Sequence, residues 1–299
     1  MNIDEDQLSV WAEGPGQTEQ DQCDNAVAAV KKAIAGSESL SGYDIEVFPQ
    51  GSYRVRTNVK QNSDVDVAVC LRSIFFPDYP LGKGKEDYGN VDSEISFAGF
   101  KDLVEESLVD YFGRNSVVRG NKAFDIHENS YRVDADVVPT FSRRRYNSNG
   151  LDDWIMPEGI GFIPDDKGFV VENWPEQTYS NGVDKNAATS RSYKAIIRII
   201  KRLRDQMQED GVDAAKDVAS FLIESLIWNV PNEGFTHDSY TDDLRYVLAH
   251  VFNNTAKDET CSEWGEVNEL KYLFRGSQPW SREQANKFTD AAWNYVRFK

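Results

Sequence analysis

Two aspartates on one predicted strand are the residues of this sequence best suited to chemistry. The stretch Asp64-Val65-Asp66-Val67 alternates acidic and apolar residues, so a strand here would place Asp64 and Asp66 on the same face. Neighbouring carboxylates repel each other and lose hydration when buried, and a hard divalent cation such as Mg²⁺ relieves both costs. The pair therefore predicts a metal site, although a solvated strand would show the same short pattern.

A Gly-Ser turn precedes this strand. Gln50, Gly51 and Ser52 offer backbone N–H groups and a hydroxyl, which are donors of the kind that bind phosphate oxygens. Triphosphates reach their enzymes with Mg²⁺ bound, so the turn and the acidic strand together predict a nucleoside triphosphate as ligand. An ordinary turn is the alternative interpretation.

A later strand, predicted over residues 131–138 and ended by Pro139, carries a second acidic pair. Asp134 and Asp136 share one face of it, so either could complete a site of three carboxylates. The spacing does not choose between them. An edge strand with solvated aspartates explains this pair equally well.

Composition limits the classes of function. The chain has 299 residues, 40% of them hydrophobic, which is enough for a packed core. Its 33 basic and 50 acidic residues give a net charge of −17, which disfavours a long nucleic acid as partner. The three cysteines are dispersed, no long apolar run occurs, and the acidic N-terminus lacks signal-peptide character. These features predict a cytoplasmic protein with no membrane partner.

The remaining patterns predict an α+β region followed by helices. In the first part we expect helices over residues 18–36 and 100–112, strands near residues 45–47, 117–118 and 123–126, and a loop over residues 74–90. Residues 150–185 are rich in Gly, Pro, Asp and Asn and are the predicted boundary between two lobes. Beyond it, apolar spacing predicts helices at residues 193–207, 218–228, 242–252, 264–274 and 282–298.

Two groups of bases could meet an anionic ligand. The run Arg143-Arg144-Arg145 lies in a predicted loop, where it is either solvated or steers an anion. The predicted helix over residues 193–207 is the most basic of the chain, and its bases are Lys194, Arg198, Lys201, Arg202 and Arg204. It is the best candidate for holding a triphosphate, and a core helix with solvated charges is the alternative.

These residues together resemble a known family. Gln50-Gly51-Ser52-Tyr53, Asp64-x-Asp66 and a later strand aspartate, in an α/β lobe followed by helices, resemble the polymerase-β-type nucleotidyltransferases. Within them the chain is most similar to the CdnE group of bacterial cGAS/DncV-like nucleotidyltransferases. The further matching segments are Thr57-Asn58, Ala135-Asp136-Val137-Val138, Lys185-Asn186, Tyr193-Lys194 and Trp228-Asn229-Val230-Pro231.

The resemblance implies a fold and a metal site. The fold would be α+β, with a nucleotidyltransferase lobe of mixed sheet and helices over residues 1–180. A mainly helical lobe over residues 181–299 would close over the nucleotide pocket. Asp64, Asp66 and Asp136 would bind two Mg²⁺ ions, for which Mn²⁺ could substitute, and Asp136 is preferred over Asp134 because it occupies the Ala-Asp-Val-Val position.

The resemblance also implies residues that bind the nucleotides. Gly51 and Ser52, after Gln50, would hold the donor triphosphate. In the helical lobe the matching positions are Lys201 and Ser220, which contact donor phosphates in the wider family, and Phe221, which replaces a tyrosine that stacks on a base. Asn173 matches a position where asparagine accompanies the use of pyrimidines, since an amide can pair with the edge of uracil.

The implied activity is the template-independent joining of two nucleoside triphosphates, UTP and ATP, into cyclic UMP–AMP or cyclic di-UMP. Such a product would be a second messenger of anti-phage, CBASS-type defence that acts on a downstream effector, and the enzyme would be a monomer. A transferase that modifies tRNA or protein is one alternative, but a tRNA enzyme needs a basic face that this acidic chain does not suggest. An inactive scaffold of the same fold is another, but it would have lost its carboxylates.

Overall fold

The computed structural model describes residues 3–59, 64–147, 154–276 and 278–298, the side chains of residues 154–156 excepted. Asn62 and Ser63, which precede Asp64, and Gly150, at the start of the predicted lobe boundary, lie outside these ranges. The chain divides into two compact units. The sheet unit comprises Gly16–Arg54 and Ser63–Pro175, and the helical unit comprises Met1–Pro15, Val55–Asn62 and Glu176–Lys299.

A seven-stranded mixed sheet forms the centre of the sheet unit. The strands are β1 Ile45–Pro49, β2 Val65–Asp78, β3 Val117–Arg119, β4 Phe124–Ile126, β5 Ala135–Tyr146, β6 Trp154–Phe162 and β7 Val171–Asn173. Their order is β1-β2-β5-β4-β3, and β6 pairs with β5 and β7. β2 and β5 are parallel, whereas the other neighbours are antiparallel.

Helices cover one face of this sheet. The helices of the unit are α2 Gln17–Ala35, the short α3 Gly51–Val55 and α4 Phe97–Phe112. The valines of β2 that alternate with Asp66 lie in one buried core with Phe100 of α4 and Val30 of α2. Each such side chain contributes about 1.5–3 kcal/mol when it is fully buried. Asp66 therefore points to the opposite face, as the alternation predicts.

Two strands run further than the sequence predicts. The predicted loop over residues 74–90 is wrong at its start, because β2 continues to Asp78, and β5 passes through Pro139 to Tyr146. A proline lacks the N–H that a residue of a central strand donates to a neighbouring strand. Pro77 is tolerated because β1 pairs with β2 only as far as Leu71. Pro139 lies where the neighbour of β5 changes from β4 to β6.

The helical unit is built around one long helix. Its helices are α1 Glu5–Ala12, α5 Pro175–Ala188, α6 Ser192–Glu209, α7 Ser220–Trp228, α8 Tyr240–Thr255, α9 Asp258–Cys261 and α10 Arg282–Tyr295. The apolar stripe of α6, with Ile196, Ile199 and Leu203, is completely buried in the core of the unit. The mixed sheet and the helical C-terminal part confirm the predicted fold class.

The predicted helix over residues 264–274 is wrong. Gly265 forms a bridge with Tyr272, and Glu269 between them has a left-handed backbone, with φ of 59°. Asn229 bonds both the N–H and the carbonyl of Gly265, so its side chain replaces the hydrogen bonds that a helix would make. Apolar spacing alone does not show this competition.

The unit boundaries are more complex than one break in the sequence. The prediction places a single boundary after residue 180, whereas the helical unit resumes at Glu176 and also includes α1 and the segment Val55–Asn62. β6, β7 and the first part of α5 lie in the stretch over residues 150–185 that composition marked as the lobe boundary. Among the described residues, no helix is long and apolar enough to cross a membrane.

Candidate active site

The register of the sheet brings the predicted carboxylates together. Asp66 of β2 lies directly beside Asp136 of β5 in the parallel pair, and Asp125 of β4 lies beside Asp136 on its other side. Adjacent strands are ~4.8 Å apart, and residues in register point to the same face. Three carboxylates on three neighbouring strands therefore form a row across the face that α2 and α4 leave uncovered.

Asp64 and Asp134 extend this row by one residue pair. The N–H of Val65 donates to the carbonyl of Asp134 at 3.1 Å. This hydrogen bond holds the chain at Asp64 beside the chain at Asp134. The carboxylate of Asp134 accepts a hydrogen bond from the backbone N–H of Glu128. Asp134 thus also holds the turn that leads into β5. This structural role is compatible with the prediction that Asp136, and not Asp134, is the metal ligand.

Burial and crowding raise the pKa of two members of the row. The pKa of Asp64 is raised by desolvation and then by the charges of Asp134 and Asp125. The pKa of Asp136 is raised by desolvation and then by Asp64, Asp125 and Asp134. Groups of like charge that depress each other's ionisation form a site that a cation stabilises. The residues present therefore fit a divalent metal.

A second group of possible ligands overlaps the row. Single ligand atoms of Asp125, His127 and Asp134 lie within 4.8 Å of one another. The Nδ1 atom of His127 is 3.6 Å from a carboxylate oxygen of Asp125. The predicted set and this set are neighbours on one surface, and the structure offers both to a divalent cation.

Position 51 requires a glycine because its backbone lies very close to the side chain of Asp66. Its φ is +64°, and a Cβ added there would lie 2.0 Å from the Oδ2 atom of Asp66. The N–H of Gln50 donates to the carbonyl of Asp66 at 2.9 Å, which ties the start of α3 to β2. Ser52, next in α3, is half-buried. The predicted phosphate-binding turn and the carboxylates thus form one site.

Tyr53 fixes this turn from the other side. Its buried hydroxyl accepts from the Nε2 atom of Gln20 at 2.5 Å and donates to Asp24 at 2.8 Å, both on α2. A buried hydroxyl with both bonds made orients its helix firmly. α2 therefore positions Gly51 and Ser52 in front of the strand ends.

Asn173 lies on the same face of the sheet as the carboxylates. It pairs with Ile160 of β6, which packs with Ala68 and Cys70, the alternate residues that follow Asp66 on β2. Its amide is half-buried and makes no hydrogen bond within the described part of the chain. The preceding Glu172 points the other way and pairs with Arg143 at 2.7 Å. The amide is therefore available to a ligand on this face.

The arginine run is paired within the sheet unit. Arg143 and Arg145 contact Asp78 and Glu172, and Arg144 contacts Glu158 at 2.5 Å. These three residues belong to β5 and not to the predicted loop. Their ion pairs favour a structural role over the steering of an anion.

In the helical unit, Lys201 is engaged by the protein. Its Nζ atom lies 2.5 Å from Oε1 of Glu224 and 3.1 Å from the carbonyl of Thr57, and Lys201 is only 2% exposed. Removing one partner of a buried ion pair costs about 3–5 kcal/mol. The contact that the structure contains is thus this ion pair, and the predicted phosphate contact of Lys201 would have to compete with it.

Ser220 and Phe221 begin α7. The Oγ atom of Ser220 accepts from Arg204 at 3.1 Å, and the ring of Phe221 packs against Trp280 with centroids 6.2 Å apart. Both residues are half-buried. Their contacts with phosphate and base stay predictions.

Comparison with known proteins identifies the family. The C-terminal helical domain of the cGAS/DncV-like nucleotidyltransferases matches residues 180–297. The cyclic dipyrimidine nucleotide synthases CdnE of Legionella pneumophila and Cecembia lonarensis are 42% and 41% identical to the chain, over 99% and 98% of both sequences respectively. The chain is a cGAS/DncV-like nucleotidyltransferase of the CdnE group. The predicted family and enzyme class are confirmed.

A solved structure of the group supports the fold of this chain. The CdnE cyclic dinucleotide synthase of Elizabethkingia meningoseptica, solved with GTP and Apcpp, is 34% identical and superposes with a TM-score of 0.82. The alignment covers 99% of this chain and 100% of that one.

Sequence reasoning missed two residues of interest. Asp125 alternates with Phe124 and Ile126, so the strand pattern that singled out Asp66 could have found it. Glu224 gave no such signal, because a lone acid on an apolar helix reveals its partner only in three dimensions. It is 5% exposed and bonds both Lys201 and Thr57.

Proposed function

We propose that the enzyme joins two nucleoside triphosphates without a template and closes them to a cyclic dinucleotide that contains a pyrimidine. The observation that carries the proposal is the register of Asp66 with Asp136, with Gly51 packed against Asp66. The backbone that we propose to bind phosphate thus lies beside a row of carboxylates. Metal-assisted phosphoryl transfer needs this combination and no protein nucleophile.

Asp64, Asp66 and Asp136 would hold two Mg²⁺ ions, or Mn²⁺ in their place. When bound, such ions lower the pKa of the attacking hydroxyl and neutralise the charge of the leaving pyrophosphate. Gly51 gives Asp66 its space, and Ser52 donates its hydroxyl to the donor phosphates. Gln50 and Tyr53 keep this turn in place through their bonds to Asp66 and α2.

The pyrimidine assignment rests on Asn173. Its amide lies on the carboxylate face without a partner in the described chain, and it can both donate to and accept from uracil. The two relatives at 41% and 42% identity are cyclic dipyrimidine nucleotide synthases, which supports the assignment. UTP with ATP, or UTP alone, would give cyclic UMP–AMP or cyclic di-UMP.

The helical unit would supply the rest of the nucleotide pocket. We assign residues 181–299 to a lobe that closes over the nucleotides, with Ser220 near the donor phosphates and Phe221 stacked on a base. The product would act on a downstream effector in anti-phage defence, and the enzyme would work as a monomer. Lys201 would also contact the donor phosphates, in competition with its buried ion pair to Glu224.

The test is incubation of the purified enzyme with equimolar ATP, GTP, CTP and UTP and Mg²⁺, with products identified by mass spectrometry. We expect a cyclic dinucleotide with at least one uracil. Asn173→Ser should shift incorporation toward purines about tenfold, because an unpaired polar edge costs about 1–3 kcal/mol. Only purine products from the unaltered enzyme would refute the role of Asn173. Labelling of tRNA or protein in place of a cyclic product would refute the proposed function itself.

A further inference from the structure

The sheet ends at β1, and one edge of this strand is unpaired. β1 pairs with β2 on one side, and no strand within the described ranges pairs with its other side. The carbonyl of Asp44 and the N–H of Gln50, at the two ends of the strand, bond to β2 at 2.8 and 2.9 Å. In an antiparallel pair, alternate residues direct their backbone groups toward the neighbouring strand. The backbone groups of the odd-numbered residues Ile45 and Val47 therefore face outward.

This edge is longer and less protected than the other free edges of the described sheet. β1 has five residues, whereas β3 and β7 have three each. Proteins usually block free edges with charged side chains, prolines or short strands. On the helix-covered face, however, β1 presents Ile45 and Val47, and Glu46 turns to the other face to pair with Arg72 at 2.5 Å. Pro49 lacks an N–H only at the end of the strand. The edge can thus still pair with a further strand.

An apolar groove of about 360 Å³ lies beside the edge, between β1, the last turns of α2 and the loop that joins them. Ile34 and Leu40 are buried in its wall, Ile45 and Val47 are half-buried, and Tyr43 is 38% exposed. A strand added to β1 would lie ~4.8 Å from it, and residues in register would point to the same face. Alternate side chains of the added strand would therefore enter the groove.

The charge of the groove selects among possible segments. Lys31 of α2 lines it, is exposed, and makes no ion pair with the described part of the chain. None of the described residues that line the groove is acidic, although the chain carries a net charge of −17. Charge complementarity across an interface favours the correct partner. A segment with a carboxylate next to its apolar side chains fits this groove.

We propose that the outer edge of β1 is a docking site for an extended segment of a partner protein. The segment would add one strand to the sheet, place two apolar side chains in the groove and bring a carboxylate near Lys31. In this mode of recognition the main-chain hydrogen bonds supply affinity, and pockets for alternate side chains supply specificity. β1 continues directly into Gln50 and Gly51, so the partner would lie next to the predicted phosphate-binding turn. The inference goes beyond the proposed function and does not depend on it.

A defined peptide tests the site. The probe is valine-threonine-valine-threonine-glutamate, blocked at both ends, which places both valines and the glutamate on one face when extended. Valine-valine-threonine-threonine-glutamate is the control peptide, because the same residues then divide the valines between the two faces. The measurement is amide hydrogen exchange of the full chain, followed by nuclear magnetic resonance. A ligand with a Kd of ~1 mM is mostly bound at ~10 mM, so we expect the probe to slow exchange at Ile45 and Val47 about tenfold.

Three variants sharpen the test. Lys31→Glu should weaken the probe about fivefold, because it replaces an attraction with a repulsion. Lys32→Glu is the matched control and should stay within about twofold, because Lys32 is the next exposed residue of α2 but does not line the groove. Val47→Pro removes an outward N–H while keeping the bonds to β2, and it should abolish the protection of Ile45. Its melting temperature shows whether the sheet is intact, and Lys31→Glu remains the test if it is not.

Unchanged exchange at Ile45 and Val47, or equal protection by the control peptide, would overturn the inference. Equal losses in Lys31→Glu and Lys32→Glu would overturn it as well, because the base in the groove would then have no special role. Protection that needs no peptide and grows with protein concentration would assign the edge to a second copy of this chain and reject the partner segment. None of these outcomes depends on product formation, so the proposed function is tested separately.

Discussion

The acidic row of the sheet and the basic face of α6 are both dense in charge, but they are compensated differently. On the sheet, Asp64 and Asp136 are surrounded by further carboxylates, and their pKa values are raised. On α6, Arg198 and Lys201 each reach an oxygen of the protein. Charge that the protein does not balance indicates a ligand, whereas balanced charge indicates architecture.

The largest expected effect tests the acidic row. Asp66→Asn should reduce product formation about a thousandfold or more, because metal stabilisation of phosphoryl transfer supplies several kcal/mol. Asp134→Asn should be far milder, since the Asp134 carboxylate is held by the N–H of Glu128 and an asparagine carbonyl can accept the same hydrogen bond. Initial rates with UTP and ATP measure both. The reverse ranking would move the catalytic role to Asp134.

The next effect tests the contact between the turn and the row. Gly51→Ala should lower the rate about ten- to a hundredfold, because the added Cβ would displace the Asp66 carboxylate and because φ there is +64°. Gly42→Ala is the control in the same unit, since an added Cβ meets no atom within 4 Å there. Equal rates for the two variants would show that the close approach is unimportant.

Much of the acidic row was predictable from the sequence. The parts of the site that were not predictable have a physical reason. A period of two placed Asp64 and Asp66 on one face, but only the register, set by the pairing of Val65 with Ala135, puts Asp66 beside Asp136. The prediction for Lys201 came from the family resemblance and did not include the ion pair that this lysine makes. Its partner Glu224 lies on another helix, and Thr57 is far away in the sequence, so local pattern could not reveal the ion pair.

A smaller effect concerns stability. Asp136→Asn should raise the melting temperature of the metal-free protein by a few degrees, because it removes one charge from a repelling group. The raised pKa means that the folded state takes up a proton more readily than the unfolded chain. The repulsion therefore acts above the raised pKa and disappears as the pH falls through it. The advantage of the variant should shrink on acidification, and an advantage that grows instead would contradict this cause.

The smallest effect concerns Lys185 of the helical unit. Lys185 donates to the carbonyl of Val230 at 2.7 Å, and its ammonium lies 5.1–5.6 Å from the rings of Tyr193, Trp228 and Phe235. Burial lowers its pKa from 10.5 to about 8. The charged form is thus disfavoured in the folded state below pH 8, and this cost is relieved as the pH rises toward 10.5. The melting temperature of the unaltered protein, relative to that of Lys185→Met, should therefore rise between pH 8 and pH 10.5. A difference in melting temperature that stays constant across this range would contradict the prediction.

The most direct test of the central claim is a Mn²⁺ titration followed by electron paramagnetic resonance, with a non-hydrolysable UTP analogue present. It compares the unaltered protein with Asp136→Asn and Asp134→Asn. If the unbalanced charge of Asp64, Asp66 and Asp136 is the metal site, Asp136→Asn loses bound Mn²⁺ and Asp134→Asn keeps it. Retention in Asp136→Asn with loss in Asp134→Asn would place the metal at Asp125, His127 and Asp134 and contradict the account.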